Sequence, residues 1–191
     1  MKKIILTVLA VTSLLLYSTP SFALLSLSVG VPMGQSITGK NAGKTYGNAP
    51  DKTGGYFLGA SFASIGLGID NYITKFKTDG TDGAWTAKLD AGLKTNMTNI
   101  FYQLPIPFLN LIIGLGAGTT EYDCSLPDCS ALYDKGAATQ WYTSVGIPLI
   151  PLFDIHLSYR SITSKNIKFK SNGAKHDNSG SVTGLGIAFN F

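Results

Sequence analysis

Past its first two dozen residues the chain holds no apolar run approaching the roughly 20 residues a spanning helix needs, yet 45% of it is hydrophobic and only 14% is charged. The hydrophobicity is dispersed with period two. In the last eleven residues, "SVTGLGIAFNF", Leu185, Ile187, Phe189 and Phe191 share one face of an extended strand, and Gly184, Gly186, Ala188 and Asn190 share the other. Successive side chains of a strand point to opposite faces, so such a segment buries one row and exposes the next. "WTAKLDAGLKT" repeats the pattern: Trp85, Ala87, Leu89, Ala91 and Leu93 form an apolar row, opposite Thr86, Lys88, Asp90, Gly92 and Lys94. The chain therefore reads as all-β.

The first residues follow different rules. "MKKIILTVLAVTSLLLYSTPSFA" sets two lysines before an apolar stretch from Ile4 to Leu16, then a proline and Ser21-Phe22-Ala23. That is the layout of a cleaved secretory signal peptide over 1–23, with an apolar core too short to span a bilayer. Removal of 23 residues from 191 leaves 168, one domain at 24–191, and taking Lys2 and Lys3 from the 15 basic residues leaves 13 against 11 acidic ones. A net charge of +2, with no basic helix or basic patch interleaved with aromatics, gives no footprint for nucleic acid.

Eight candidate strands fit the mature chain, near 24–32, 54–63, 65–76, 84–95, 111–122, 137–148, 154–167 and 180–191. Connections at 33–53, 77–83, 123–136 and 168–179 are long and polar, whereas those at Ala63-Ser64, "LPIPFLN" and "PLIPLF" are short or apolar. The stretch 96–104 either extends the fourth strand or forms an irregular turn. "LPIPFLNLIIGL" and "PLIPLFDIHLSY" align on Pro107 and Pro151, which lack a ladder donor and mark where pairing stops.

Strand pattern alone does not separate a soluble sandwich from a membrane barrel. The leader, the loop asymmetry and the terminal aromatic do. A chain ending on Phe191, with Leu185, Ile187 and Phe189 on its face, resembles the closing strand of outer-membrane β-barrels, and "FDIHLSYR" resembles the penultimate strand of the small OmpA/OmpX-like ones. The resemblance implies an eight-stranded antiparallel up-and-down transmembrane β-barrel in the bacterial outer membrane. It also implies that these four residues are an assembly signal read by the barrel assembly machinery. Outward aromatics are then expected in two girdles, Tyr56, Trp85 and Trp141 toward the long loops and Phe62, Phe153 and Phe191 toward the turns.

An eight-stranded barrel has an interior just wide enough for side chains to fill it. Small inward residues (Ser26, Ser28, Gly30, Gly66, Gly68, Gly114, Gly116, Gly118) should make room for Tyr72, Gln140, Tyr142 and a polar network of Asp70, Lys88, Asp90, Lys94, His156 and Arg160. Buried charges must be paired, and Asp70 and Asp90 can pair with Lys88, Lys94 and Arg160.

His156 and Ser158 lie two apart on one strand face, as do the residues of a barrel lipid A deacylase, which they resemble. They fall near the turn side of a polar face, and the lone Glu, Glu121, sits on another strand. No oxyanion donors or orienting acid are evident, so a structural role is expected, with no catalytic residue and no cofactor or metal. The fold itself assigns no activity. A non-enzymatic barrel serving envelope integrity or surface-loop interaction leads, with a porin-like solute channel and a lipid A-modifying enzyme as alternatives.

Cys124 and Cys129 in "EYDCSLPDCS" read as one local disulfide in an exported chain. Lysines in the long loops (Lys40, Lys44, Lys52, Lys168, Lys170, Lys175) read either as contacts for outer-membrane lipids and lipopolysaccharide phosphates, the expected partners, or as charges that keep the loops soluble. Nothing in the sequence fixes an oligomeric state.

Overall fold

A computed structural model describes residues 24–39, 50–76, 91–106, 109–124, 129–150, 152–165 and 167–191. The expected signal peptide, Trp85, Lys88, Asp90 and the two aligned prolines lie outside the described residues. Strands β1 (Leu25–Ile37), β2 (Pro50–Phe62), β3 (Ile65–Phe76), β4 (Ala91–Ile106), β5 (Leu109–Cys124), β6 (Gly136–Ile150), β7 (Phe153–Thr163) and β10 (Gly180–Asn190) close into one antiparallel barrel, in the order β1-β10-β7-β6-β5-β4-β3-β2. A short helix α1 (Cys129–Leu132) and a two-residue hairpin of β8 (Ile167–Lys168) and β9 (Lys175–His176) belong to the long loops. The eight-stranded barrel is thus the one the sequence implies.

Closure is completed by the chain end. Phe191 N donates to Leu25 O at 2.8 Å and Leu25 N donates to Phe191 O at 3.2 Å. The exterior is apolar: Leu27, Val29, Leu58, Leu67, Ile69, Ile100, Leu115, Ile147, Leu157 and Leu185 are all exposed. A water-soluble domain does not show an apolar surface this continuous, whereas lipid covers such a band on a membrane barrel. Tyr56, Trp141, Phe62 and Phe191 stand on that exterior as expected, and Tyr159 joins Trp141 with ring centroids 5.8 Å apart.

Of the two readings open for 96–104, strand extension is the one adopted: β4 runs without interruption to Ile106, so Leu104–Ile106 and Leu109–Asn110 of "LPIPFLN" are ladder. Two local features differ from the sequence reading. The fourth strand presents the opposite face to the one expected. Leu93 and Thr95 are 1% exposed and point inward, while Lys94 points out. An apolar row suits a membrane and a packed barrel mouth equally well, and here Leu93 packs with Tyr122 and Ile167. The seventh strand ends at Thr163, before the Ile167 expected to close it. By contrast Ala63 and Ser64 form the expected tight turn, both with positive φ (48° and 76°), the handedness a two-residue hairpin requires.

Candidate functional site

The inward side chains build a filled cylinder of alternating polar and apolar layers. At mid-height Arg160 on β7 meets Asp70 on β3, Nε to Oδ2, at 3.0 Å. Asp70 Oδ2 also accepts from Gln140 Nε2 at 2.6 Å, and the same amide nitrogen donates to Asn99 Oδ1 at 2.6 Å. Arg160 Nη1 donates to Ser158 Oγ. The guanidinium carbon lies 3.5 Å from the Phe57 ring centroid and 4.9 Å from that of Tyr142. Arg160 and Asp70 are 5% and 3% exposed, so the pair is desolvated; the aromatic faces and shared amide supply the compensating contacts that a buried charge demands.

Small residues make this possible, as the sequence suggested. A Cβ on Gly116 would strike Asn99 and Gln140, and one on Gly114 would strike the Tyr142 ring. Gly55, with φ +133°, lies against the backbone of Asn71 and the Cβ of Tyr72, so only glycine fits there.

Toward the turns lies a second polar layer. Asp154 Oδ2 accepts from Asn110 Nδ2 at 2.9 Å and Asn190 Nδ2 at 2.8 Å, with His156 Nε2 3.7 Å away. His156 Nδ1 meets Ser144 Oγ at 3.2 Å. Ser158 points elsewhere: its hydroxyl donates to Gly184 O at 3.2 Å and receives Arg160. The His156–Ser158 pair is therefore no dyad. Ser144, His156 and Asp154 do line up, but His156 Nε2 stands beyond hydrogen-bond reach of the acid and all three are buried, 5–6% exposed. A hydroxyl so enclosed is poorly placed to meet a substrate.

Toward the loops, Tyr72, Met97, Ala138, Ile162 and Val182 form an apolar layer, followed by Thr74, Thr95 and Thr120. The mouth is then roofed by Leu93, Tyr122 and Ile167, with the Tyr133 ring tilted against Tyr122 and Phe169, centroids 4.6 Å and 5.1 Å away. Tyr122 also donates to Asn178 Oδ1 at 3.2 Å. Inside the barrel a cavity of about 50 Å³ lies beside Phe57, Asp70, Ser144 and His156, room for a few waters.

Of the expected network, Asp70, Arg160 and His156 are inside. Lys94 is not: it lies outside, 3.9 Å from Glu121, which Lys135 holds at 2.8 Å. Lys88 and Asp90 fall outside the described residues, as do the side chains of Cys124 and Cys129, whose backbones end β5 and begin α1. Sequence reasoning left Asp154 out of the network, although it is in phase with His156, Ser158 and Arg160. It also missed Asn99, Asn110, Asn190 and Ser144, which lack the charge that drew attention to the others.

No family model and no curated protein matches the chain. Among solved structures, Neisserial surface protein A is similar at 12% identity and a TM-score of 0.61, over 87% of this chain and 96% of its own. The Yersinia pestis attachment invasion locus protein Ail (17% identity, 87% and 97% covered, TM-score 0.48) and the E. coli outer membrane protein W (14%, 86% and 97%, 0.48) are also similar. At such identities the likeness is one of fold, the fold of a small outer-membrane barrel.

Proposed function

We propose that this barrel is a non-enzymatic resident of the bacterial outer membrane, a filled cylinder that holds its loop end at the cell surface for envelope integrity or contact with a partner. The observation that carries the reading is the Arg160–Asp70 bridge across the lumen, backed by Gln140 and Asn99 and faced by Phe57 and Tyr142. An interior committed to its own side chains leaves the loop end and the lipid-facing wall as the working surfaces. The porin-like and lipid A-modifying alternatives have less support. The first needs a water path where packed layers stand, and the second needs an accessible nucleophile where Ser144 and Ser158 are enclosed.

Loops three and four form one body at the mouth: Asp134 N donates to Lys168 O at 2.9 Å, and Lys170 N donates to Leu132 O at 2.8 Å. A Cys124–Cys129 disulfide would tie α1 to the end of β5 and stiffen that body. Lipopolysaccharide and the barrel assembly machinery are the proposed partners, the latter through Leu185, Ile187, Phe189 and Phe191. The test is complementation of a deletion strain under detergent stress. Ser144→Ala should restore resistance and leave the lipid A mass profile unchanged, whereas exchanging 164–179 for a short Gly-Ser turn should not restore it. Failure of folded Ser144→Ala to complement, or a lipid A species that depends on Ser144, contradicts the proposal.

A further inference from the structure

On the outer wall, Lys52 of β2 stands directly opposite Lys75 of β3, both exposed and both pointing away from the lumen, because their neighbours Thr53 and Thr74 point in and share a hydrogen bond. Like charges directly opposite on one face destabilise a strand pair. Among the described residues neither lysine has a carboxylate within ion-pair distance. Lys94, one strand further on, lies diagonal to Lys75 and shares Glu121 with Lys135. Asp123, facing Gly92 from β5, is a further acid on this wall whose side chain is described. Among the described side chains, the wall over β2 and β3 thus carries positive charge without an anion to match it.

Its height identifies the anion. Lys75 lies ten residues along β3 from Ile65; at about 3.3 Å per residue and a tilt near 40°, that is roughly 25 Å, the thickness of a barrel's apolar band. Ile65, Leu67 and Ile69 lie below it on the lipid face and are exposed. The lysines therefore stand at the headgroup layer remote from the turns, where phosphates lie.

Beside them the wall is parted. β1 pairs with β2 only over Leu25–Gly30 and Phe57–Phe62, while β1 continues along β10 to Ile37 and β2 along β3 to Pro50. The seam opens a groove lined by Met33, Gly34, Gln35, Lys52 and Gly54. A Cβ on Gly34 or Gly54 would touch nothing within 4 Å, and Met33 is 64% exposed.

Resting on the membrane-barrel reading, we propose that this wall is a binding site for one phosphate-bearing lipid of the outer leaflet, its phosphate between Lys52 and Lys75 and the start of an acyl chain along the seam beside Met33. The lipid supplies the missing counter-charge and covers backbone at the parted edges.

The test is native mass spectrometry of the folded mature protein in detergent with phosphorylated lipid A, with the same lipid A dephosphorylated, or with phosphorylated lipid A plus inorganic phosphate. The wild type should retain one phosphorylated lipid A and little of the dephosphorylated form, with millimolar phosphate a poor competitor. The Lys52→Gln/Lys75→Gln variant should bind roughly thirtyfold more weakly, at about a kilocalorie per mole for each lysine, while Lys168→Gln/Lys175→Gln binds as the wild type does. Equal retention by the Lys52/Lys75 variant, loss in the loop variant instead, equal retention of the dephosphorylated lipid, or ready displacement by free phosphate each overturns the proposal. Should the double variant not fold, Lys75→Gln alone decides by the same criteria. Heat-modifiable migration of the wild type in lipid vesicles is read in parallel, and its absence would count against the membrane-barrel reading and not the lipid site.

Discussion

Arg160 and Asp70 lie on strands that are four apart whichever way the barrel is counted, so their 3.0 Å contact spans the full diameter of the lumen. A bond along such a line ties opposite walls together and fills the middle at once. Removing one partner strands the other in a low-dielectric interior, which typically costs about 3–5 kcal/mol. Arg160→Ala should therefore lower the urea unfolding midpoint more than His156→Ala, and His156→Ala more than Ser158→Ala. Arg160→Met with Asp70→Leu should recover most of the loss. A double variant no better than the single ones would show that the charges contribute more than their mutual satisfaction.

Gly116 on β5 separates Asn99 on β4 from Gln140 on β6 by no side chain at all. Gly116→Val forces the two amides apart and overpacks the central layer, at a cost of about 1–3 kcal/mol. An unfolding midpoint equal to that of the wild type would mean that the central layer is looser than its distances indicate.

Much of this was legible in the sequence, because alternation with period two carries the strands and their inward rows: Asp70, Tyr72, Gln140, Tyr142, His156 and Arg160 are all inside. The misreading of Lys94 has a physical cause. Leu93 closes a sequence row as apolar as a lipid-facing one, and only the Tyr122–Ile167 roof, brought there by residues far along the chain, shows that this leucine points inward. The roof was illegible for the same reason: α1 and the β8–β9 hairpin are too short to leave a periodic signal. Nor does any local pattern announce that β1 and β2 part above Gly30.

Ala63 and Ser64 hold positive φ without being glycine, which costs an L-residue roughly 1–2 kcal/mol. Ser64→Gly relieves that strain and loosens the unfolded chain, so a net gain of up to about 1 kcal/mol is expected. Equilibrium unfolding in urea measures it, and a loss of stability would mean that the serine side chain has an unseen role at the turn.

Deletion of Phe191 removes the two backbone hydrogen bonds to Leu25 that finish the closure, together with an aromatic that is 62% exposed on the outer face. Assembly in cells should fall sharply, with less heat-modifiable protein in the outer-membrane fraction, while refolding in detergent falls less. Unchanged abundance of the truncated barrel would remove Phe191 from the assembly signal.

The central claim is that the lumen is shut by its own side chains. Single-channel recording of the purified barrel in a planar bilayer tests it most directly. The account predicts no steady ion-conducting openings from the wild type, and brief, irregular ones from an Arg160→Ala/Asp70→Ala variant, whose central layer is emptied. Stable openings of uniform conductance from the wild type would contradict it.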